Sequence, residues 1–156
     1  MGFCAEILPK VRRSSSERSN KAGAEIFKTE DKKVLIEGLL AHHARQGHPR
    51  ESETFSIFLK DQNKKVMGAI IVTFLWNGMA INSLWIDESL RKQGWGGKLM
   101  QAVEKEAIER RCTIAYTDTF PWQAPGFYER LGYTLYGKLD DFPQGFSLCY
   151  YRKKLS

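Results

Sequence analysis

SLWIDESLRKQGWGGKLMQAVEKEA, residues 83–107, is the stretch on which the fold turns. An apolar run ends at Ile86, Arg91 follows, and Gly94, Gly96 and Gly97 crowd into four positions. Leu99, Met100, Ala102, Val103 and Ala107 then form a one-sided helical stripe. Glycine costs backbone entropy where a helix starts. One reason to accept that cost is an anion: the first N–H groups of a helix lack intrahelical partners and carry the positive end of its dipole. The other reading is a plain strand-to-helix turn. Arg91, Lys92 and Lys98 add positive charge nearby. The spacing is not that of a GxxxxGKS/T loop, and Leu99 stands where the third glycine of GxGxxG would be.

Working outward, "MAINSLWI" before the turn reads as a strand, joined through Asn77-Gly78, a strong hairpin signal, to the long apolar strand "VMGAIIVTFLW". "NKK" turns the chain back to the alternating "TFSIFLKDQ". Further upstream, Val34, Leu35, Leu39 and Leu40 recur at helical spacing, with Thr29 as the expected N-cap and a stop near Gly47 and Pro49. A short strand "AEIFK" precedes that helix, and residues 1–22, polar and serine-rich, read as a flexible extension. Downstream, the helix of about residues 96–111 leads into "CTIAYTDTF", read as a buried strand. The short helix "APGFYERLGY" follows, with Pro125 in its first turn and Gly132 at its stop, and then two final strands, "TLYGKL" and "SLCYYRKKL". The order β-α-β-β-β-α-β-α-β-β predicts an α/β (α+β) mixed sheet covered by helices, in one domain over residues 23–156. Its parallel pairing falls within residues 79–120, and ligands bind beyond the carboxyl ends of such strands.

Arg91-x-x-Gly94-x-Gly96 after "LWI", with "APGFYERLGY" on the following helix, resembles the two signatures of the GNAT superfamily of N-acetyltransferases, in the right order and spacing. The resemblance covers roughly residues 24–155. It implies an acetyl-CoA-dependent enzyme that passes an acetyl group directly to a primary amine of a small molecule or peptide. It further implies that residues 93–97 (Gln93, Gly94, Trp95, Gly96, Gly97) hold the cofactor's pyrophosphate, with Arg91 opening the turn and Lys92 and Lys98 beside it. Leu84, Trp85 and Ile86 would lie along the pantetheine arm, where the sheet splays, and the Ile86 N–H would polarise the thioester carbonyl. Tyr128 would protonate the departing thiolate; Phe127 reads as packing. No single residue fixes the base in this superfamily. Asp87, Glu88 and Asp118 are the candidates, Asp118 standing out because its run looks buried and a buried carboxylate is costly unless paired. Many members carry Asn seven residues before the tyrosine. Pro121 occupies that position here, so that Gln123 or Thr119 substitutes or the contact is absent.

The remaining composition narrows the field. No run approaches a membrane span, the start is too broken for a secretory segment, and Cys4, Cys112 and Cys149 show no metal spacing, which together suggest a cytoplasmic protein with reduced thiols and no membrane partner. A net charge of +6 suits anionic partners, but much of it lies at the termini, and no nucleic-acid-binding motif accompanies it, so no nucleic-acid partner is expected. His42, His43 and His48 read as a solvated helix end rather than a metal site, and no metal is expected. Trp76, Trp85, Trp122, Asp140 and Asp141 offer aromatics beside carboxylates, a combination that suits a cationic amine, although Asp140-Asp141 also reads as a loop. A non-catalytic acyl-CoA sensor of the same fold is the competing function. An exposed final strand leaves room for a homodimer.

Overall fold

The computed structural model describes residues 32–156. The expected strand at "AEIFK", the Thr29 cap, Cys4 and the extension over residues 1–22 lie outside these. The described residues fall into two units, divided between Pro49 and Arg50. In the first, α1 (Lys32–Arg45) stops where the sequence places the stop. Gly47 takes φ 77°, and the His48 N–H donates back to the His43 carbonyl, an end that glycine permits at no steric cost.

The second unit is built on a six-stranded sheet of order β1-β2-β3-β4-β6-β5. β1 (Ser52–Lys60) and β2 (Val66–Leu75) are joined by a turn in which Asp61 Oδ1 accepts from the N–H groups of Asn63 and Lys65, both at 2.9 Å. β2 and β3 (Gly78–Ile86) form the expected hairpin, but its tip is Trp76-Asn77 rather than Asn77-Gly78, because Leu75 already pairs with Gly78. The physical reason is that Asn77 is used elsewhere. Its side-chain amide donates to Thr113 Oγ1 at 2.7 Å and its carbonyl accepts from the Thr113 N–H, fastening the hairpin to the start of β4 (Ile114–Thr119). α2 (Trp95–Glu109) connects β3 to β4, α3 (Pro125–Arg130) follows β4, and β5 (Thr134–Asp140) and β6 (Ser147–Lys154) close the chain.

Alternation along β2 and β3 turns Ile70, Val72, Phe74, Met79 and Ile81 toward Leu99, Met100, Val103 and Ala107 of α2, all buried. Each large side chain removed from water in this way contributes about 2 kcal/mol. Arg110 pins the end of α2, reaching Glu53 at 2.7 Å and Glu106 at 2.6 Å while its guanidinium covers the Phe74 ring. Glu104 of α2 accepts from the Tyr133 hydroxyl at 3.0 Å and pairs with Lys153 of β6 at 2.7 Å, tying helix, α3 exit and last strand together.

Two irregularities position the site. β3 and β4 are parallel for only three residue pairs, Gly78–Ala80 against Ile114–Tyr116, and then part. β3 also bulges at Asn82, between Ile81 opposite Val72 and Ser83 opposite Ile71. An extra residue shifts the phase of everything after it. Leu84 and Ile86 consequently pack with Met79 and Ile81 on the core side, while Trp85 is exposed.

Candidate active site

The parting of β3 and β4 leaves β3 with a partner on one side only from Ile81 onward. The Asp87 N–H donates to the Met67 carbonyl, toward β2, at 2.8 Å. Backbone amides alternate sides along a strand, so the Leu84 and Ile86 N–H groups point to the side that β4 has left. The Ile86 carbonyl, on that same side, accepts from Arg91 Nε at 3.1 Å. Arg91 thus holds the end of the strand, and its Nη1 also meets Glu88 at 3.4 Å.

Beyond Ile86 the chain is shaped by side chains bonding to backbone. Asp87 caps a 3-10 turn (Glu88–Leu90), accepting from Ser89 Oγ at 2.6 Å and the Ser89 N–H at 3.0 Å. The Ser89 hydroxyl, then its N–H, hold the Asp87 carboxyl below the usual carboxylate range. That capping task sets Asp87 apart from the other base candidates. Gln93 donates to the Ser89 carbonyl at 2.7 Å, and Lys92 takes φ 60°. α2 then begins without a side-chain cap, its ladder opening with the Lys98 N–H on the Gly94 carbonyl. The preceding N–H groups of Trp95, Gly96 and Gly97 therefore converge at an uncapped helix start.

The three glycines stand there for three different reasons. Gly94 takes φ 82°, a left-handed conformation that a side chain disfavours. Gly96 is crowded: a Cβ would come within 3.2 Å of the Phe127 ring. At Gly97 a Cβ would meet nothing within 4 Å. Neither strain nor protein packing accounts for Gly97, whose missing Cβ leaves open space at the first turn of α2. Lys98 sits over the Trp95 ring, 4.1 Å from its centre, and a cavity of about 210 Å³ opens beside Trp95, lined by Leu59, Lys60, Asp61, Met67 and Leu90.

Tyr128 lies on α3, buried, its ring against those of Phe127, Tyr133 and Tyr151. Phe127 is the packing residue expected, seated on Gly96. Burial pushes the Tyr128 hydroxyl above its usual range; a hydrogen bond with the Thr117 side chain opposes that shift, and the charge of Asp118 adds to it. The Thr117 hydroxyl in turn donates to the Ile81 carbonyl at 3.2 Å, across the point where β3 and β4 separate. Thr117, absent from the candidates named by sequence, links Tyr128 to the parting. A polar residue at an inward position of β4 was the available signal.

One expectation is corrected. The run "YTDTF" is not buried throughout: Ala115, Thr117 and Thr119 face inward, whereas Tyr116 and Asp118 are exposed. Asp118 is thus a solvated carboxylate beside the parting, and strand alternation is the reason. Near Pro121, Gln123 Oε1 accepts from Thr119 Oγ1 at 3.2 Å and the Phe120 N–H at 2.9 Å, so both suggested substitutes meet at the end of β4. Asp140 and Asp141 serve the β5–β6 loop, accepting from Ser147 Oγ and the Gly145 N–H. Among the described residues no three His, Cys, Asp or Glu side chains converge as metal ligands, and no helix is long and apolar enough to cross a membrane.

A mixed sheet whose one parallel pair parts beside a glycine-started helix is the architecture of acyl-CoA N-acyltransferases. The chain belongs to the acetyltransferase (GNAT) family, whose model matches residues 21–133. Blasticidin-S acetyltransferase of Streptomyces morookaense is 30% identical over 97 residues, covering 62% of this chain and 71% of that one. Acetyltransferase Atu2258 of Agrobacterium fabrum is 26% identical over 131 residues, covering 84% and 96%. The crystal structure of an acetyltransferase from Bacillus cereus superimposes with a TM-score of 0.76 at 29% identity, covering 85% of this chain and 97% of that one. The protein is an N-acetyltransferase of a family that uses acetyl-CoA.

Proposed function

We propose that this chain transfers the acetyl group of acetyl-CoA directly to a primary amine of a small molecule or peptide, with its chemistry at the parting of β3 and β4. The observation that carries the reading is that parting itself: β3 offers N–H groups on the side that β4 has left, Tyr128 reaches the parting through Thr117, and its neighbour Phe127 packs on Gly96 of the glycine turn. A narrow extended chain carrying amide groups can bond such an edge as a strand would. The uncapped N–H groups of Trp95, Gly96 and Gly97 suit a pyrophosphate, and the empty space over Gly97 lets it approach. Gln93, Lys92 and Lys98 flank it, and Leu84, Trp85 and Ile86 form the edge.

Acetyl-CoA supplies a thioester whose carbon–sulfur bond breaks as the amine nitrogen forms the amide. The Ile86 N–H donates to the carbonyl oxygen as negative charge gathers there. Tyr128 gives its hydroxyl proton to the sulfur and recovers one from the acylated nitrogen. Asp118 takes the other proton of the incoming ammonium through water, and one proton is released to solvent overall. A relative named for blasticidin S supports a small-molecule acceptor. We take residues 23–156 as the catalytic domain.

Calorimetric titration tests the reading. Acetyl-CoA is expected to bind at micromolar concentration, about −8 kcal/mol, with ATP far weaker. Tyr128→Phe is expected to lower turnover by about 100-fold or more while leaving acetyl-CoA affinity unchanged. Absence of acetyl-CoA binding overturns the proposal, and equal turnover by Tyr128→Phe removes Tyr128 as the acid.

A further inference from the structure

The parting of β3 and β4 is a gap in the plane of the sheet, so it opens on both faces. Thr117 and Tyr128 stand on one of them. The opposite face carries a cluster of which the proposed chemistry uses Asp118 alone. β3 and β4 pair last at Ala80 and Tyr116, and Asp118 is the first outward residue of β4 beyond that pair. On β6, Tyr150 lies opposite Asp118 and Arg152 opposite Tyr116. Directly paired residues share a face. Tyr116, Asp118, Tyr150 and Arg152 therefore stand together, turned away from the buried pair Thr117 and Tyr151. Tyr136 joins them from β5: its ring lies 6.1 Å from that of Tyr150 and 5.6 Å from the Arg152 guanidinium. Burial first, then Tyr116, Tyr150 and Asp118, push the Tyr136 hydroxyl above its usual range, and Arg152 opposes them, so this one group feels the other four.

Two of the five are charged, one of each sign, and they do not bond to each other. Elsewhere, acids and cations within reach close up: Arg110 on Glu53 at 2.7 Å and Glu106 at 2.6 Å, Lys153 on Glu104 at 2.7 Å. Asp118 and Arg152 are diagonal neighbours on adjacent antiparallel strands, about 7–8 Å apart. Among the described residues neither head group has an ion pair or a side-chain hydrogen bond. The Tyr136 ring supports the guanidinium and leaves its N–H fork unused. The face is thus complementary to a molecule that carries both charges itself.

The spacing says how far apart those charges are. The amine nitrogen of an α-amino acid lies about 2.5 Å from its carboxyl carbon. One hydrogen bond of about 2.9 Å at each end extends the reach to about 8 Å, the separation of the two side chains. We infer that the acceptor is a free α-amino acid, its carboxylate on the Arg152 guanidinium, its amine over Asp118 at the lip of the parting, and its side chain among Tyr116, Tyr136 and Tyr150. This rests on the acetyltransferase reading above and adds the class of acceptor. The amine nitrogen forms the amide bond from the outward face as the carbon–sulfur bond breaks, and Asp118 takes the ammonium proton through water. A peptide amine or a plain alkylamine lacks the neighbouring carboxylate and leaves Arg152 unanswered.

The test sets the common L-amino acids against their carboxamides as acceptors, using the full chain and release of CoA thiol. At least one amino acid is expected to be used about tenfold or more better in kcat/KM than its amide. Arg152→Gln, at an exposed strand position, is expected to remove that preference through the KM of the amino acid, with acetyl-CoA binding retained. Arg152→Lys is expected to keep part of it, since the charge stays and the fork is lost. The inference is overturned if every amide matches its acid, if a protein that binds acetyl-CoA uses none of the amino acids, or if Arg152→Gln retains the preference. Should Arg152→Gln fail to fold, Arg152→Lys decides: a reduced preference supports the inference and an unchanged one overturns it. Failure of the parent protein to bind acetyl-CoA at all would instead strike the acetyltransferase site.

Discussion

Three tyrosine hydroxyls are buried near α3, and their partners set them apart. Tyr133 bonds to Glu104 and Tyr151 to Glu129, so each faces a carboxylate that opposes loss of its proton. Tyr128 is hydrogen-bonded to neutral Thr117, a contact that works against the upward push of burial and of the more distant Asp118 charge. Of the three, Tyr128 is the one whose hydrogen-bond partner carries no charge, which suits the acid role proposed for it. Burial first, and Glu129 second, push Tyr151 up to about 12 from 10.0. The sign follows: the unfolded chain loses this proton near 10 and the folded one does not, so the associated stability is complete below pH 10 and is lost as the pH rises toward 12. Melting temperatures across pH 8 to 12 should therefore fall on the alkaline side, and Tyr151→Phe should flatten that fall. Tyr128 was legible because its place in "FYERLGY" is distinctive. Thr117 was not, because one threonine in a strand says nothing of which face it takes until the register is known. The same ignorance made Asp118 look buried.

At the scale of the element, α2 shows how similar residues serve dissimilar ends. Gly94→Ala is expected to cost about 1 kcal/mol through its left-handed backbone. Gly96→Ala presses on the Phe127 ring, so both stability and the seating of Tyr128 should suffer. Gly97→Ala should leave folding unharmed or improve it by about 0.5–1 kcal/mol, since alanine is the better helix former, yet weaken acetyl-CoA binding. Urea denaturation and calorimetry on the three variants separate these outcomes. Equal affinity for Gly97→Ala and the parent would mean that nothing approaches that position. The sequence offered the glycines as a single device for bare backbone; only the dihedral angle at one and the neighbour of another divide them. The stop of α1 and the limits of α2 and α3 were legible to within about two residues because turn residues and apolar spacing act locally. The hairpin tip was displaced by one residue because Asn77 answers to Thr113, thirty-six positions away.

For the whole molecule, the order of elements was readable from Arg50 onward, since each strand and helix carries its own period. The parting of the sheet was not readable from periodicity. It depends on the bulge at Asn82, which neither glycine nor proline announces, and on β4 choosing β6 over a longer pairing with β3. Two three-stranded plates thus meet along a seam only three residue pairs long. Such a seam has a consequence in time as well as in space. Amide protons at Leu84 and Ile86 face the gap, and without a ligand they should exchange with deuterated water far faster than their neighbours Trp85 and Asp87, whose protons are held by β2. Bound acetyl-CoA should slow Leu84 and Ile86 selectively, and the plates should lose their freedom to flex against each other. Read by mass spectrometry or NMR, that every-other-residue pattern of protection would be the signature of a sheet completed by a molecule that is not protein.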